Sequence, residues 1–136
     1  MKLGVEAQAE TVSSRIVWGV GYFTEEAYFF DRARIRNLSK LSRGMDYVGG
    51  RGTIYGARFE PRRPNVKRGG TWDWDKNPFQ GTRELDGLKV LMVLLNNYDA
   101  RALNNRVLYV DGLPDGSEAQ HVVTDLGATL GRAGGL

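Results

Sequence analysis

The chain has 136 residues, with 19 Lys and Arg against 16 Asp and Glu, a net charge of +3, no cysteine and one histidine. That length supports a single domain with a real core, and the mild charge permits an anionic ligand without demanding one. Absent cysteine excludes disulfides and thiolate metal sites, and His121 alone gives no basis for a zinc site or a Ser-His-Asp machine.

The first predicted element is a helix, because Val5, Ala9, Val12, Ile16 and Val20 recur at helical spacing and Gly19 and Gly21 end the pattern. Glu6 and Glu10 suit its N-terminal end, and one of them is placed to pair with Lys2 just before it. On spacing alone a solvated acidic face is the commoner arrangement.

An aromatic turn from Tyr22 leads into a strand over residues 28–36, where Ala33 and Ile35 alternate with Arg32, Arg34 and Arg36, giving one apolar and one basic face. After a loop rich in Ser, Arg and Gly, a second strand is predicted over Thr53 to Phe59, antiparallel to the first. Residues 60–70, EPRRPNVKRGG, are expected to form a loose, mobile surface insertion whose Arg62, Arg63, Lys67 and Arg68 offer an electrostatic contact. Residues 71–81 interleave Trp72, Trp74 and Phe79 with charge, as in a loop pinned to the core by its aromatics.

Thr82 is an N-cap, with Glu84 in the first turn of a helix carrying Leu85, Leu88, Leu91, Met92 and Leu95. Adding Val90, Val93 and Leu94 makes this helix apolar nearly all round, so it is expected to be the buried centre. Its longest apolar run, Leu88 to Leu95 with Lys89 inside it, is too short to cross a bilayer, and the sequence carries no recognisable signal peptide. No membrane span is expected, and the compartment is unassigned, cytoplasmic by default.

Two strands follow, Arg106 to Val110 and Gln120 to Thr124, joined by a turn-rich connection over residues 111–116. His121 is structural, and the tail from Ala128 to Leu136 has nothing to pack with. Such a hairpin brings Asn104 and Asp125 to adjacent strand ends. Asp99 and Asn104 have the Asp-x-x-x-x-Asn spacing of a kinase catalytic loop, and Asp125-Leu-Gly supplies a second carboxylate near the same point. Read as residues, the same stretch is also a helix C-cap at Asn96-Asn97 followed by two ordinary turns.

The ordered set of Lys2-Leu-Gly, Glu6 to Glu10, Ser14-Arg15, Trp18 to Tyr22, Gly70 to Trp74, Asn77-Pro-Phe, Gly81 to Leu85, Asn96 to Asp99, Asn104-Asn105 and Asp125-Leu-Gly resembles a family of uncharacterised bacterial proteins with a protein-kinase-like fold. The likeness runs over almost the whole chain. It implies an α+β partial kinase-like domain over residues 1–136, with antiparallel strands on a buried central helix and both ends of the domain missing. It further implies a magnesium-dependent phosphotransferase core that binds ATP, acceptor unknown. In it Asp99 orients or deprotonates the acceptor hydroxyl, Asn104 and Asp125 bind Mg2+, and Lys2 contacts the phosphates with Glu10, ahead of Glu6, as partner.

Asn97 stands where protein kinases place a histidine, a departure from ordinary protein-kinase behaviour. With no phosphate-covering loop before the lysine and no activation segment after Asp-Leu-Gly, weak or absent catalysis is expected. The alternative is a non-catalytic kinase-fold module that uses its basic surface to bind an acidic partner, nucleic acid being the less favoured choice.

Overall fold

The computed structural model describes residues 1–113 and 116–131. In chain order it contains β1 (Lys2–Leu3), α1 (Val5–Gly19), β2 (Tyr28–Arg34), β3 (Thr53–Phe59), β4 (Val66–Arg68), α2 (Arg83–Leu94), β5 (Asn105–Leu113) and β6 (Gly116–Val123). The strands form two antiparallel three-stranded sheets, ordered β1-β3-β2 and β4-β5-β6, so the architecture is α+β. No helix among the described residues is long and apolar enough to cross a membrane.

The first sheet is built around β3. Ile54 and Ala57 of β3 are both buried; β1 and β2 pair with its two edges, and α1 packs against it. Its register with β2 pairs Ala33 with Ile54 and Tyr28 with Phe59, and Phe30 meets Phe59 edge-on at 5.6 Å. The predicted strand over residues 28–36 ends two residues early, where Ile35 turns its amide to Gly52.

Helix α1 starts at Gly4, whose N–H donates to Gly56 of β3 at 2.9 Å. Gly4 has φ 95, and a Cβ there would come within 2.7 Å of the Tyr47 ring, so only glycine fits this entry. The buried face of α1 differs from the expected one. Val5, Val12, Ile16 and Val20 are exposed, and Ala7, Glu10, Ser13, Ser14 and Val17 point inward. The inner face closes on polar groups: Glu10 meets Lys2 and Arg58, and the Ser13 hydroxyl meets the Thr129 hydroxyl at 2.6 Å.

The expected loose insertion over residues 60–70 instead contains β4, paired in register with β5 through Val66↔Val110 and Arg68↔Leu108. Its cations are engaged. Arg68 joins Glu25 and Glu60, Arg63 joins Glu26, Lys67 joins Asp111, and Arg62 approaches Glu60 at 3.6 Å.

The hydroxyl of Thr82 accepts the Leu85 amide at 3.2 Å and caps α2, as the sequence predicts. Leu85, Leu88, Met92 and Leu95 then line one side of the helix and join Val17, Trp72, Val123 and Leu126 in the main core. The expectation of a helix buried all round does not hold: Val90, Val93 and Leu94 are exposed, because only one face of α2 meets the rest of the molecule. The helix ends with Asn96 at φ 53. Its amide and that of Asn97 bond back to Val93 and Met92, satisfying the last carbonyls.

The Trp72 indole donates to the Val122 carbonyl at 2.9 Å and pins the 71–81 segment to the second sheet, while His121 stacks edge-on against Phe79 at 4.9 Å, a structural position. β5 and β6 form the expected hairpin with longer strands, β5 running on to Leu113 and β6 starting at Gly116, so most of the predicted connection over 111–116 is strand; residues 114–115 lie outside the described residues. The predicted tail begins differently. Ala128 and Thr129 are buried and Leu130 bonds to Leu95, while residues 132–136 lie outside the described residues.

Candidate functional site

Lys2 lies on the two-residue edge strand of the first sheet, directly opposite Arg58 in register. Two cations facing each other across a strand pair repel, so this position needs anions. α1 supplies them one turn apart: Lys2 Nζ is 3.0 Å from Glu6 Oε2 and 3.1 Å from Glu10 Oε2. The choice between Glu6 and Glu10 that the sequence leaves open is thus answered by both, in different settings. The Glu6 side chain is 40% exposed and that of Glu10 4%.

A third carboxylate comes from the far end of the chain. Asp125 Oδ1 accepts a hydrogen bond from Lys2 Nζ at 2.5 Å. Asp125 has φ 53, a left-handed backbone that Asp tolerates better than most residues. Two residues on, Gly127 packs so closely that a Cβ there would lie 2.9 Å from both Glu6 Cβ and Lys2 Nζ. The Asp-Leu-Gly segment therefore needs its glycine to let Lys2 reach Asp125.

The Asp99–Asn104 loop closes on itself. Asn97 Oδ1 accepts the Asp99 amide at 3.1 Å, and Asn104 Nδ2 donates to the Asp99 carbonyl at 2.8 Å and its carboxylate at 3.0 Å. Arg101 Nε lies 2.5 Å from Asp99 Oδ1. Asn104 then meets the Asp125 segment through its main chain, its carbonyl accepting both the amide and the hydroxyl of Thr124 at 2.8 Å. The hairpin register, Asn105 opposite Val123, sets this meeting.

The electrostatics follow from burial and partners. Burial works to lower the Lys2 pKa, but the hydrogen bond to Asp125, the charge of Glu10 and the hydrogen bond to Glu6 together raise it, so the ammonium stays charged. Burial pushes the Glu10 carboxyl up, against the opposing charges of Arg58 and then Lys2. Asp99 is held below the usual carboxylate range, chiefly by its hydrogen bond from Arg101, with Asn104 and the charges of Arg101 and Lys2 adding to it.

The five residues singled out from the sequence thus fall into two contacting groups, Lys2–Glu10–Asp125 and Asp99–Asn104, joined through Thr124. Sequence reasoning missed Arg58, Arg101 and the packing role of Gly127. No local signal pointed to Arg58, whose place opposite Lys2 is a strand register.

For a divalent cation the donors are few. Among the described residues no group of three or more His, Asp or Glu is placed to hold a metal ion. Asp125 offers a carboxylate whose Oδ1 is taken by Lys2, and Asn104 an amide oxygen, its Nδ2 being spent on Asp99; the two residues are linked through the Thr124 main chain. Magnesium is commonly held by one or two hard-oxygen protein ligands plus phosphates and waters.

Comparison with protein-family models, with curated proteins and with solved structures finds no match to this chain.

Proposed function

We propose that this chain is the core of a kinase-like, magnesium-dependent phosphotransferase that binds ATP. The observation that carries the reading is the convergence on Lys2 Nζ of a buried helical glutamate, Glu10, and of Asp125, from chain positions 115 residues apart. Phosphate binding by a lysine held by a helix glutamate beside a metal-binding aspartate is a chemistry that uses such a convergence.

In this reading Lys2, kept charged, offers a cation to phosphate oxygens, and Glu10 fixes where it sits. Asp125 and Asn104 would hold magnesium, which when bound neutralises charge on the transferred group. Asp99, kept ionised by Arg101 and Asn104, is a poor proton acceptor at neutral pH, so its part is to orient an acceptor hydroxyl by accepting its hydrogen bond. Arg101, largely exposed beside it, adds positive charge where phosphate would arrive.

The experiment is an NMR titration with Mn2+–ATP, in which the paramagnetic ion broadens signals near it. The side-chain amide of Asn104 and the backbone amide of Asp125 are expected to broaden first. Uniform broadening, or none, would refute the site.

One observation keeps a second reading, a non-catalytic module that binds an acidic partner. Arg34, Arg36 and Arg51 line an open hollow with no carboxylate among its lining residues, unlike the paired cations of residues 62–68. Under that reading Arg34→Glu with Arg36→Glu abolishes retention on an anionic column and leaves ATP binding unchanged.

A further inference from the structure

Between Lys2 and the far side of the first sheet runs a chain of alternating charge. Glu10 Oε2 lies 3.1 Å from Lys2 Nζ and its Oε1 lies 3.2 Å from Arg58 Nη2. The other arm of that guanidinium, Nη1, lies 2.6 Å from Glu60 Oε1, and Glu60 in turn meets Arg68 at 3.0 Å. Glu10 is 3% exposed and Arg58 9%, so neither has bulk water to stabilise its charge. Arg58 Nε and Glu10 Oε2 are buried without a hydrogen-bond partner among the described residues, so for Glu10 Oε2 the Lys2 ammonium is the charge that compensates it.

We infer that Arg58 is a positioning residue for the Lys2–Asp125 site: it holds Glu10 aimed at Lys2, and Glu60 fixes the guanidinium that does so. Which ligand the site serves rests on the phosphotransferase reading; the positioning itself does not.

The physical case has three parts. A carboxylate as buried as Glu10 is driven toward its neutral form, and Arg58 is the largest charge resisting that. Arg58 stands opposite Lys2 in the strand register, so the two cations would repel if Glu10 did not lie between them. The planar fork of an arginine can serve two carboxylates at once, whereas a lysine point charge cannot hold both in fixed geometry. Losing Arg58 therefore frees Glu10 to turn from Lys2, leaving Lys2 with Glu6, which is substantially exposed, and Asp125.

The test reads Lys2 directly, without nucleotide. The folded chain is treated with an amine-acylating reagent and the labelling rate of Lys2 Nζ is followed by peptide fragmentation, which separates it from the Met1 amine. In the wild type Lys2 is expected to label more slowly than exposed Lys67. Arg58→Met is expected to speed Lys2 labelling severalfold, because the ammonium loses one of the carboxylates that hold it, while Lys67 is unaffected. Arg58→Lys restores only part of the protection, because a lysine cannot hold both carboxylates in fixed geometry. Glu10→Gln matches Arg58→Met, and the double variant is no faster than Glu10→Gln alone, because both changes remove the same contact.

A folded Arg58→Met protein that labels Lys2 at the wild-type rate overturns the inference, as does a double variant whose effects multiply. Should Arg58→Met fail to fold, Glu60→Gln decides. Without Glu60 the guanidinium is no longer fixed, so Lys2 must label faster than in the wild type and no faster than in Glu10→Gln, and labelling at the wild-type rate refutes the role. Failure here leaves the phosphotransferase reading standing. That reading fails separately, through absent magnesium-dependent ATP binding by the wild type.

Discussion

Gly127→Ala is a sharp test of how the three segments meet, because its sign depends on the close approach of α1 to the Asp-Leu-Gly segment. The backbone of Gly127 is not in the left-handed region, so in open space an alanine would be tolerated and would stabilise by about 0.4–1 kcal/mol through the unfolded state. Here the new methyl would stand 2.9 Å from Glu6 Cβ and 2.9 Å from Lys2 Nζ. Carbon atoms in contact prefer roughly 3.5–4.0 Å, so an overlap of more than half an ångström must be relieved.

Lys2 cannot simply swing aside, since its Nζ is tied to Glu6, Glu10 and Asp125, and Glu6 Cβ is fixed to the helix. Overpacking of this kind costs about 1–3 kcal/mol. For a domain of this size that is a fall in Tm of roughly 3–15 °C, read by differential scanning calorimetry. The same variant should label Lys2 faster with an amine reagent, because the strain is relieved at the ion pairs. A Tm that is unchanged or raised would show that the glycine is not needed for packing and that Lys2 and Asp125 do not meet as described.

Removing the α2 cap with Thr82→Ala should cost about 0.5–2 kcal/mol in urea unfolding, the usual value for losing an N-cap oxygen. Val93→Lys and Leu94→Lys, at side chains 78% and 76% exposed, should change stability by no more than about 0.5 kcal/mol; a large loss would mean that this face of the helix is buried after all. Glu25 is pushed up to about 7, first by burial and then by the neighbouring Glu60 charge, from an ordinary 4.5. A carboxyl whose folded pKa is raised contributes stability below its unfolded pKa and loses it as pH rises through the folded one. Stability should therefore decline between about pH 4.5 and about pH 7 in the wild type and decline less in Glu25→Gln, as measured by urea midpoints across that range.

Much of the fold was legible wherever one local signal dominated. Thr53 to Phe59 is predicted as a strand, and it is β3 with the same ends. Thr82 reads as a cap and is one, and the hairpin that brings Asn104 beside Thr124 follows from its two short apolar runs and the turn between them. The buried face of α1 was not legible, because apolar periodicity selects Val5, Val12 and Ile16, whereas the real interface is filled by Glu10, Ser13 and Ser14 bonded to polar partners. Composition likewise hid β4, since Val66-Lys-Arg68 sits among prolines and arginines and is held by pairing with β5 that only the tertiary fold supplies. At the site, spacing indicated Asp99, Asn104 and Asp125, but nothing local linked Arg58 to Lys2, whose relation is a strand register.

The central claim is that Lys2, Asn104 and Asp125 form a magnesium–nucleotide site, and calorimetric titration of ATP tests it most directly. The chain is titrated with and without magnesium, beside Asp125→Asn, which removes the charge yet suits the left-handed backbone at that position. The account predicts binding that requires magnesium and disappears in the variant while its Tm stays close to that of the wild type. Absent binding by the folded wild-type chain, or equal binding by the variant, would contradict it.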